Sequence, residues 1–402
     1  MNHQKFDIAI IGSSFVGMSC ALAMAKISPQ ISVAIIEKQN VFNIEKSNDG
    51  RAFAISSSSL DFFKEIAILE NLQNVSGKIS DIKITDYKSP FILDFISEEF
   101  EKNHQHFGAI IENHYIFEEL KKKVLQQKNI TIFCPNYYQE INFSDDLAKI
   151  LLDDNNLVIA KLLLACDGRF SKLRKHFNIP TLTKNYHQTA IVFKISHQFS
   201  HQNIAHEKFL PTGPLAILPL ADKNQSSIVW IVDDQQAQVL LGLDHENFIQ
   251  QLTKKIENCL GECQIISEKF SYPLTLIFAD KFYHEKMLLV GDSACGVHPI
   301  AGQGFNLAIS NIAILQKLIA KKIILGLDFS GDSLIFEYNN LARQNSKKMV
   351  LATDLLNTIF EAKCLTISIA RKLGLGVVNN ISQLKKFFIS NAGGFTNKGG
   401  EG

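Results

Sequence analysis

The first 37 residues restrict this chain to a narrow set of architectures. Residues 6–11 (Phe-Asp-Ile-Ala-Ile-Ile) are a short apolar run, as expected of a strand buried on both faces. Small and apolar residues follow at helical spacing over 15–27, and residues 31–37 form a second buried strand. That is a complete βαβ unit, and two parallel strands require such a crossover. The joint between the first strand and the helix reads Gly12-Ser13-Ser14-Phe15-Val16-Gly17. Gly12 permits a tight turn and Gly17 permits close helix–strand packing. The helix N-terminus then offers free N–H groups to a pyrophosphate. Ser14 stands where a dinucleotide fingerprint carries its middle glycine. Its Cβ crowds the closest backbone approach, and its hydroxyl is able to bond a phosphate. Glu37 ends the second strand 20 residues after Gly17, where a carboxylate can accept bonds from ribose hydroxyls.

Length and composition fit this beginning. A chain of 402 residues, 46% hydrophobic and 20% charged, is globular and large enough for two or three domains. The formal net charge of +1 supplies no global field to recruit nucleic acid or an anionic membrane. Seven scattered cysteines and an N-terminus without a hydrophobic signal region point to free thiols and a cytoplasmic protein. Cys259 and Cys263 lack a second Cys/His pair nearby, so no metal site is expected. No run of about 18 apolar residues suggests a membrane-spanning helix. Of 41 basic residues only five are Arg: Arg51, Arg169, Arg174, Arg343 and Arg371. In a Lys-rich chain, an Arg that persists points to a need for its planar fork.

Further along, residues 56–70 read as helical and 78–95 as a hairpin. A helix over 113–128 precedes a strand at 130–134. Three strands follow over 138–165, the last ending at Asp167-Gly168. Residues 186–233 alternate apolar and polar positions around Pro211, Pro214 and Pro219, as in a bent antiparallel sheet. Helical segments occupy 234–259. A buried strand at 286–291 delivers Asp292 into a loop, and a helix runs over 305–322. Residues 331–388 read as almost wholly helical, with a Gly-rich tail from Asn391. The expected fold class is α/β: a doubly wound, Rossmann-like nucleotide domain, an inserted antiparallel-sheet substrate domain and a helical C-terminal region. The expected boundaries are nucleotide domain 1–75, substrate hairpin 76–98, nucleotide domain 99–180, substrate domain 181–280, nucleotide domain 281–345 and helical region 346–402.

Three later motifs carry chemistry. In Asp49-Gly50-Arg51-Ala52-Phe53-Ala54, the Arg51 fork suits a pyrophosphate. Asp167-Gly168-Arg169 turns sharply at a strand end, with Arg174 close behind. The most informative stretch runs from Val290 to Asn306: Gly291-Asp292, then His298-Pro299-Ile300-Ala301-Gly302-Gln303-Gly304-Phe305-Asn306. Asp292 is suited to hold a sugar hydroxyl. The Pro/Gly loop lets backbone approach a flat ligand, and the helix start at Asn306 stabilises negative charge.

A GxGxxG-like fingerprint, a central DG and a late GD with its Pro/Gly loop, in this order, resemble the class A flavoprotein monooxygenases of the para-hydroxybenzoate hydroxylase type. The resemblance covers nearly the whole chain, with Ser14 the one clear departure. Asp49-Gly50-Arg51 and residues 298–306 are similar to the ubiquinone-biosynthesis hydroxylases of the UbiH/UbiF/UbiI type. So are Leu341-Ala342-Arg343, Ala352-Thr353-Asp354 and 371–375. The resemblance implies FAD as cofactor and NAD(P)H as a transient reductant. It implies a flavin C4a-hydroperoxide that transfers OH to an aromatic ring. It places Gly12, Ser14, Gly17, Glu37, Arg51, Asp167, Gly291 and Asp292 on FAD. Gly302, Gly304, Phe305 and Asn306 would then face the isoalloxazine ring.

The same resemblance makes His298 and Pro299 the candidates nearest the chemistry, His298 as a residue that polarises a phenol or packs beside the flavin. It implies molecular oxygen and a polyprenylated phenol as substrates, and contact with other ubiquinone-biosynthesis proteins. Peripheral contact with the inner face of the membrane through Leu384–Ile389 is a further implication. Apolar pocket candidates are Phe193, Phe209, Leu215, Ile217 and Trp230, each also a plain core residue. Two other readings stay open: a same-superfamily hydroxylase of a small soluble aromatic, and a flavin-bound scaffold with little turnover.

Overall fold

The computed structural model describes residues 3–43, 49–86, 92–96, 106–257, 259–297 and 303–361. The 371–375 motif and the expected membrane contact at Leu384–Ile389 lie outside the described residues. The first layer is a parallel sheet in the spatial order Met287–Leu289, Leu157–Ala165, His3–Ile11, Val33–Ile36, Ile130–Phe133. The strand His3–Ile11 is buried at Phe6 and from Ile8 onward, and Val33–Ile36 is buried throughout, as the unbroken apolar runs predict. An antiparallel pair, Tyr138–Ser144 and Leu147–Leu152, extends the sheet beside the first half of Leu157–Ala165. The helix Phe15–Ile27 is buried from Gly17 to Ala25. It packs against the helices Asn113–Gln126 and Gln303–Ile324 as well as the sheet. A helix surrounded in this way has no polar face to show, hence its Gly, Ala, Ser and Cys content.

The second layer is an antiparallel sheet built around Thr181–His197, which pairs with Gln225–Asp233 on one side and Phe270–Ala279 on the other. Gly213–Pro219, Ile204–Leu210, Asp81–Asp86 and Ile92–Ile96 complete it outward, with Ile204–Leu210 and Asp81–Asp86 parallel to each other. One face is covered by the helices Asp234–Leu241 and His245–Ile256. The other meets a small three-stranded sheet, Ala52–Ser56, Gly108–Glu112 and Ser76–Ile79. This is a doubly wound domain with an inserted antiparallel-sheet domain and a helical C-terminal segment, Asp332–Glu361.

Two elements depart from the sequence reading. Ser76–Ile79 does not join the 81–86/92–96 hairpin but pairs with Gly108–Glu112. Its Gly77 lies so close to the neighbouring chain that a Cβ would sit 2.0 Å from the Pro219 carbonyl oxygen. The strand Phe270–Ala279 contains Pro273, which argues against a strand in sequence. The partner strand slips register between Asn185 and Thr189, with His187 at φ +55°. A bulge there excuses the missing N–H.

On the helix-covered side of the sheet, burial together with Lys83 and Lys208 pushes the His206 imidazole down to about 4. Its folded pKa lies below the unfolded value near 6.5, so the unfolded chain binds more protons between the two. Stability should therefore fall as pH drops from about 6.5 to 4, by roughly 2–3 kcal/mol for this group. Urea titrations at pH 7 and pH 4.5 should show that loss in the wild type and a smaller one in His206→Asn.

Candidate active site

The fingerprint turn is built by two close approaches. Gly12 has φ +97°, and a Cβ on it would stand 2.5 Å from the Cys166 carbonyl oxygen. A Cβ on Gly17 would stand 1.8 Å from the Gly12 carbonyl oxygen. Ser14 is different: it is the N-cap, exposed, at φ −72°, with no capping hydrogen bond from its side chain. The backbone there asks nothing that only glycine can give. The substitution is thus compatible with the turn, and the exposed Ser14 stands at the helix start, where the first-turn amides lack partners within the helix.

Glu37 is held at the end of its strand. Its Oε2 accepts from the Ser13 amide at 2.8 Å and the Ser13 hydroxyl at 3.1 Å, and its Oε1 accepts from the Gln39 amide at 2.8 Å. The carboxylate is fixed beside the fingerprint with acceptor capacity to spare. Asp167 lies against the same turn, its Cα 3.3 Å from where a Gly12 Cβ would be. One of its oxygens accepts from the Leu173 amide at 3.1 Å, whereas Oδ1 is buried without a partner. An orphaned carboxylate oxygen beside a fingerprint turn fits a site completed by a ligand's hydroxyl or a water.

Gly291-Asp292 comes to the same place from the other end of the chain. Gly291, at φ +72°, lies so near the fingerprint helix that a Cβ would be 2.8 Å from Val16. The Ser293 hydroxyl donates to the Ala165 carbonyl at 2.6 Å and ties the turn to the neighbouring strand. Asp292 pairs with Arg169 Nε at 3.2 Å. Arg169 also reaches the Val297 carbonyl at 3.3 Å and the Thr275 carbonyl at 3.4 Å. Arg174, buried, donates to the Ser293 carbonyl at 2.7 Å and to the Arg169 carbonyl at 2.9 Å. Two Arg forks therefore clamp the DG loop onto the GD turn. Their scarcity was the available signal, although the sequence assigns them no role.

Arg51 is held within the protein. Its fork donates to Asp49 and, at 2.6 Å, to the Tyr272 hydroxyl, and its plane lies 4.7 Å over the Phe270 ring. Asp49 raises its guanidinium pKa further, with Tyr272 adding to the effect. It thus braces the nucleotide-domain loop against the antiparallel sheet. The ion pair Lys194–Glu112, 2.9 Å and almost buried, ties the small sheet to the large one.

The Pro/Gly loop is only partly in view: His298, Pro299 and Gly302 lie outside the described residues. Gly304, Phe305 and Asn306 belong to the first turn of the helix Gln303–Ile324. The Phe305 ring stacks on Phe53 at 4.6 Å within the core. Asn306 accepts from the Ser56 amide at 3.0 Å and donates to the Ala54 carbonyl at 2.8 Å. These side chains pin the helix start to the edge of Ala52–Ser56, which leaves backbone and helix end to face a ligand.

Four of the five side chains expected to line a pocket face the two helices instead. Phe193, Leu215, Ile217 and Trp230 are core beneath the two helices, with Phe248 packed edge-on against Phe193 and Trp230. Alternation puts every second residue on each face, and the sequence does not say which face a helix covers. The inner face carries partly accessible Val192, Leu218, Val229, Ile82 and Ile84, opposite Ala52 and Ala54. Phe209 shares that inner face but is buried. Among the described residues no cluster of His, Cys, Asp or Glu is placed to hold a metal, and no helix is long and apolar enough to cross a membrane.

A family model described as FAD binding domain matches residues 5–353. The chain belongs to that family. FAD is the cofactor of this FAD-dependent monooxygenase. The chain is 32% identical over 396 residues to the ubiquinone hydroxylase UbiL of Rhodospirillum rubrum, covering 98% of this chain and 91% of that protein. It is 28% identical to the ubiquinone hydroxylase UbiM of Neisseria meningitidis, covering 94% and 83%. Among solved structures, p-nitrophenol 4-monooxygenase PnpA of Pseudomonas putida superposes with a TM-score of 0.78 at 13% identity, covering 98% of this chain and 100% of that one. At that identity the likeness concerns the fold. PyrE3, described as a Diels-Alderase, shares it with a TM-score of 0.74 at 14% identity, covering 97% and 81%.

The geometry of this FAD-binding monooxygenase gives two expectations. Asp292→Ala should lose FAD on dialysis, read as flavin absorbance per protein, while far-ultraviolet circular dichroism stays unchanged. Full retention of flavin would remove Asp292 from the site. Arg51→Lys keeps the charge but not the fork, and FAD affinity should fall about tenfold, or ~1.4 kcal/mol. An unchanged dissociation constant, measured by flavin fluorescence, would show that charge alone suffices.

Proposed function

We propose that this chain hydroxylates the aromatic ring of a polyprenylated phenol in ubiquinone biosynthesis, consuming molecular oxygen and NAD(P)H. The observation that carries this reading is likeness along almost the full chain to the ubiquinone hydroxylases UbiL and UbiM. The ubiquinone biosynthesis monooxygenase COQ6 of Dictyostelium discoideum, 25% identical over 96% of this chain and 90% of its own length, supports it too. The apolar inner face of the large sheet suits an aromatic head carrying hydrocarbon.

Once reduced, FAD supplies activated oxygen, and the protein's part is to bind, orient and exclude water. The amides after Ser14 would hold the pyrophosphate, and Arg51, whose fork is engaged by Asp49 and Tyr272, would hold the loop beside it in place. Glu37 would take ribose hydroxyls, and Asp167 and Asp292 would take hydroxyls nearer the middle of the cofactor. The start of the helix Gln303–Ile324 would stabilise negative charge on the ring system. His298 and Pro299 would sit next to the reacting ring. A nicotinamide would dock transiently at the cleft beside Gly168, where the backbone is open. Contact with other proteins of the pathway and with a membrane surface belongs to the same reading, since the substrate is a lipid.

The test combines spectrum and product. The purified protein should show an oxidised-flavin spectrum that bleaches with NADPH in the absence of air. Air enriched in ¹⁸O₂ and a short-chain prenylphenol should then give a product heavier by one labelled oxygen atom. Bleaching without product would point to a different aromatic substrate. A flavin that no nicotinamide reduces would require an electron-donating partner or a scaffold role.

A further inference from the structure

We propose that Glu207 is a catalytic residue of this hydroxylase: its carboxylate bonds the substrate's phenolic hydroxyl and takes its proton as the ring is attacked. The proposal rests on the reading of the chain as a phenol hydroxylase. Glu207 lies mid-strand in Ile204–Leu210, opposite Ala216 on one neighbouring strand and Ile84 on the other. Ala216 in turn stands opposite Val229, and Val229 opposite Val192. One carboxylate thus interrupts an otherwise apolar row across the inner face of the sheet.

That row faces the small sheet of Ala52–Ser56, Gly108–Glu112 and Ser76–Ile79. Ile84 and Leu218 pack in the cluster that contains Ala52 and Ala54 across the gap. The Ala54 carbonyl is the group bonded by Asn306, so this apolar interface runs up to the start of the helix Gln303–Ile324. Among the described residues Glu207 has no hydrogen bond or ion pair, yet it keeps some accessible surface. Burial alone pushes its carboxyl up to about 7. An unpaired carboxylate in such surroundings is expensive to keep unless a ligand uses it.

Other charges leave this assignment intact. Asp86 is one step along the same face, beyond Phe209. Lys194 and Glu112 neutralise each other between the same two sheets. His206, Lys208 and Lys83 alternate onto the opposite face. In the step itself the phenolic O–H bond breaks and the carboxyl O–H bond forms. The electron pair stays on the phenol oxygen, which makes the ring a better nucleophile toward the electrophilic oxygen that the monooxygenase activity provides. A base near pKa 7 is matched to that task at neutral pH.

The experiment compares wild type, Glu207→Gln and Glu207→Asp as full-length holoenzymes with a short-chain 2-prenylphenol. Gln has the same shape and no charge to desolvate, so the variant should fold and retain FAD. Its hydroxylation rate should fall roughly a hundredfold or more. The limb that rises through pH 7 in the wild type should disappear, and Glu207→Asp should restore that limb in part. Equilibrium dialysis without NAD(P)H gives a second readout: the phenol's affinity should change through pH 7 in the wild type and stay flat in Glu207→Gln. If Glu207→Gln keeps the wild-type rate, pH profile and binding profile while the wild type hydroxylates the phenol, the role of Glu207 is refuted and the phenol-hydroxylase reading stands. If the wild type neither binds nor hydroxylates any phenol offered, the reading fails and the proposal falls with it.

Discussion

The contact between Gly17 and the carbonyl of Gly12 is the constraint on which the rest of this molecule depends. It closes the turn at the end of the first strand and draws the helix Phe15–Ile27 down onto the parallel sheet. Once the helix is that close, its first turn can meet Gly291 through Val16, and its amides point to one spot beside Glu37 and Asp167. The Arg169 and Arg174 forks then lock the DG loop and the GD turn in register. Three segments separated by more than a hundred residues become one cradle. Backbone proximity does this work, and charge is added to a geometry that small residues have already created.

The same physics decides which parts of the structure were readable in the sequence. Buried parallel strands are continuous apolar runs, so 6–11, 157–165 and 286–291 announced themselves, to within a residue or a few at each end. The glycine turns were legible because a Cβ has no room in them. The strands Ala52–Ser56 and Gly108–Glu112 were not legible, since strands this short in a small three-stranded sheet have no period long enough to detect. Phe270–Ala279 was hidden by Pro273, whose tolerance depends on a bulge in a different strand. The inner and outer faces of the large sheet were confused for a related reason. Alternation gives two faces, and only the position of the helices Asp234–Leu241 and His245–Ile256 decides which is core. Glu207 was overlooked because an isolated Glu in an alternating strand reads as a solvent-facing residue.

The two sheets are joined by polar contacts rather than by a broad apolar seam near the cofactor side. Arg51 spans from Asp49 to Tyr272 and Phe270, and Lys194 reaches Glu112. Each such pair is costly to bury and directional once formed. A seam of this kind fixes the spacing between the sheets beside the apolar cluster of Ala52, Ala54, Ile82, Ile84 and Leu218.

The order of strands in the parallel sheet also bears on how the chain is made. Its first strand, His3–Ile11, lies between Val33–Ile36 and Leu157–Ala165, and the last strand to join is Met287–Leu289. A ribosome therefore releases the central strand of this sheet long before the neighbour that covers one side of it exists. Until residue 165 has emerged, that edge is open to any passing strand. The inserted sheet must then be finished before the GD turn can arrive. Such a chain folds slowly, through long-range pairings. A nascent intermediate with a half-built parallel sheet is the natural client for a chaperone, and the cofactor cradle is among the last features to take shape.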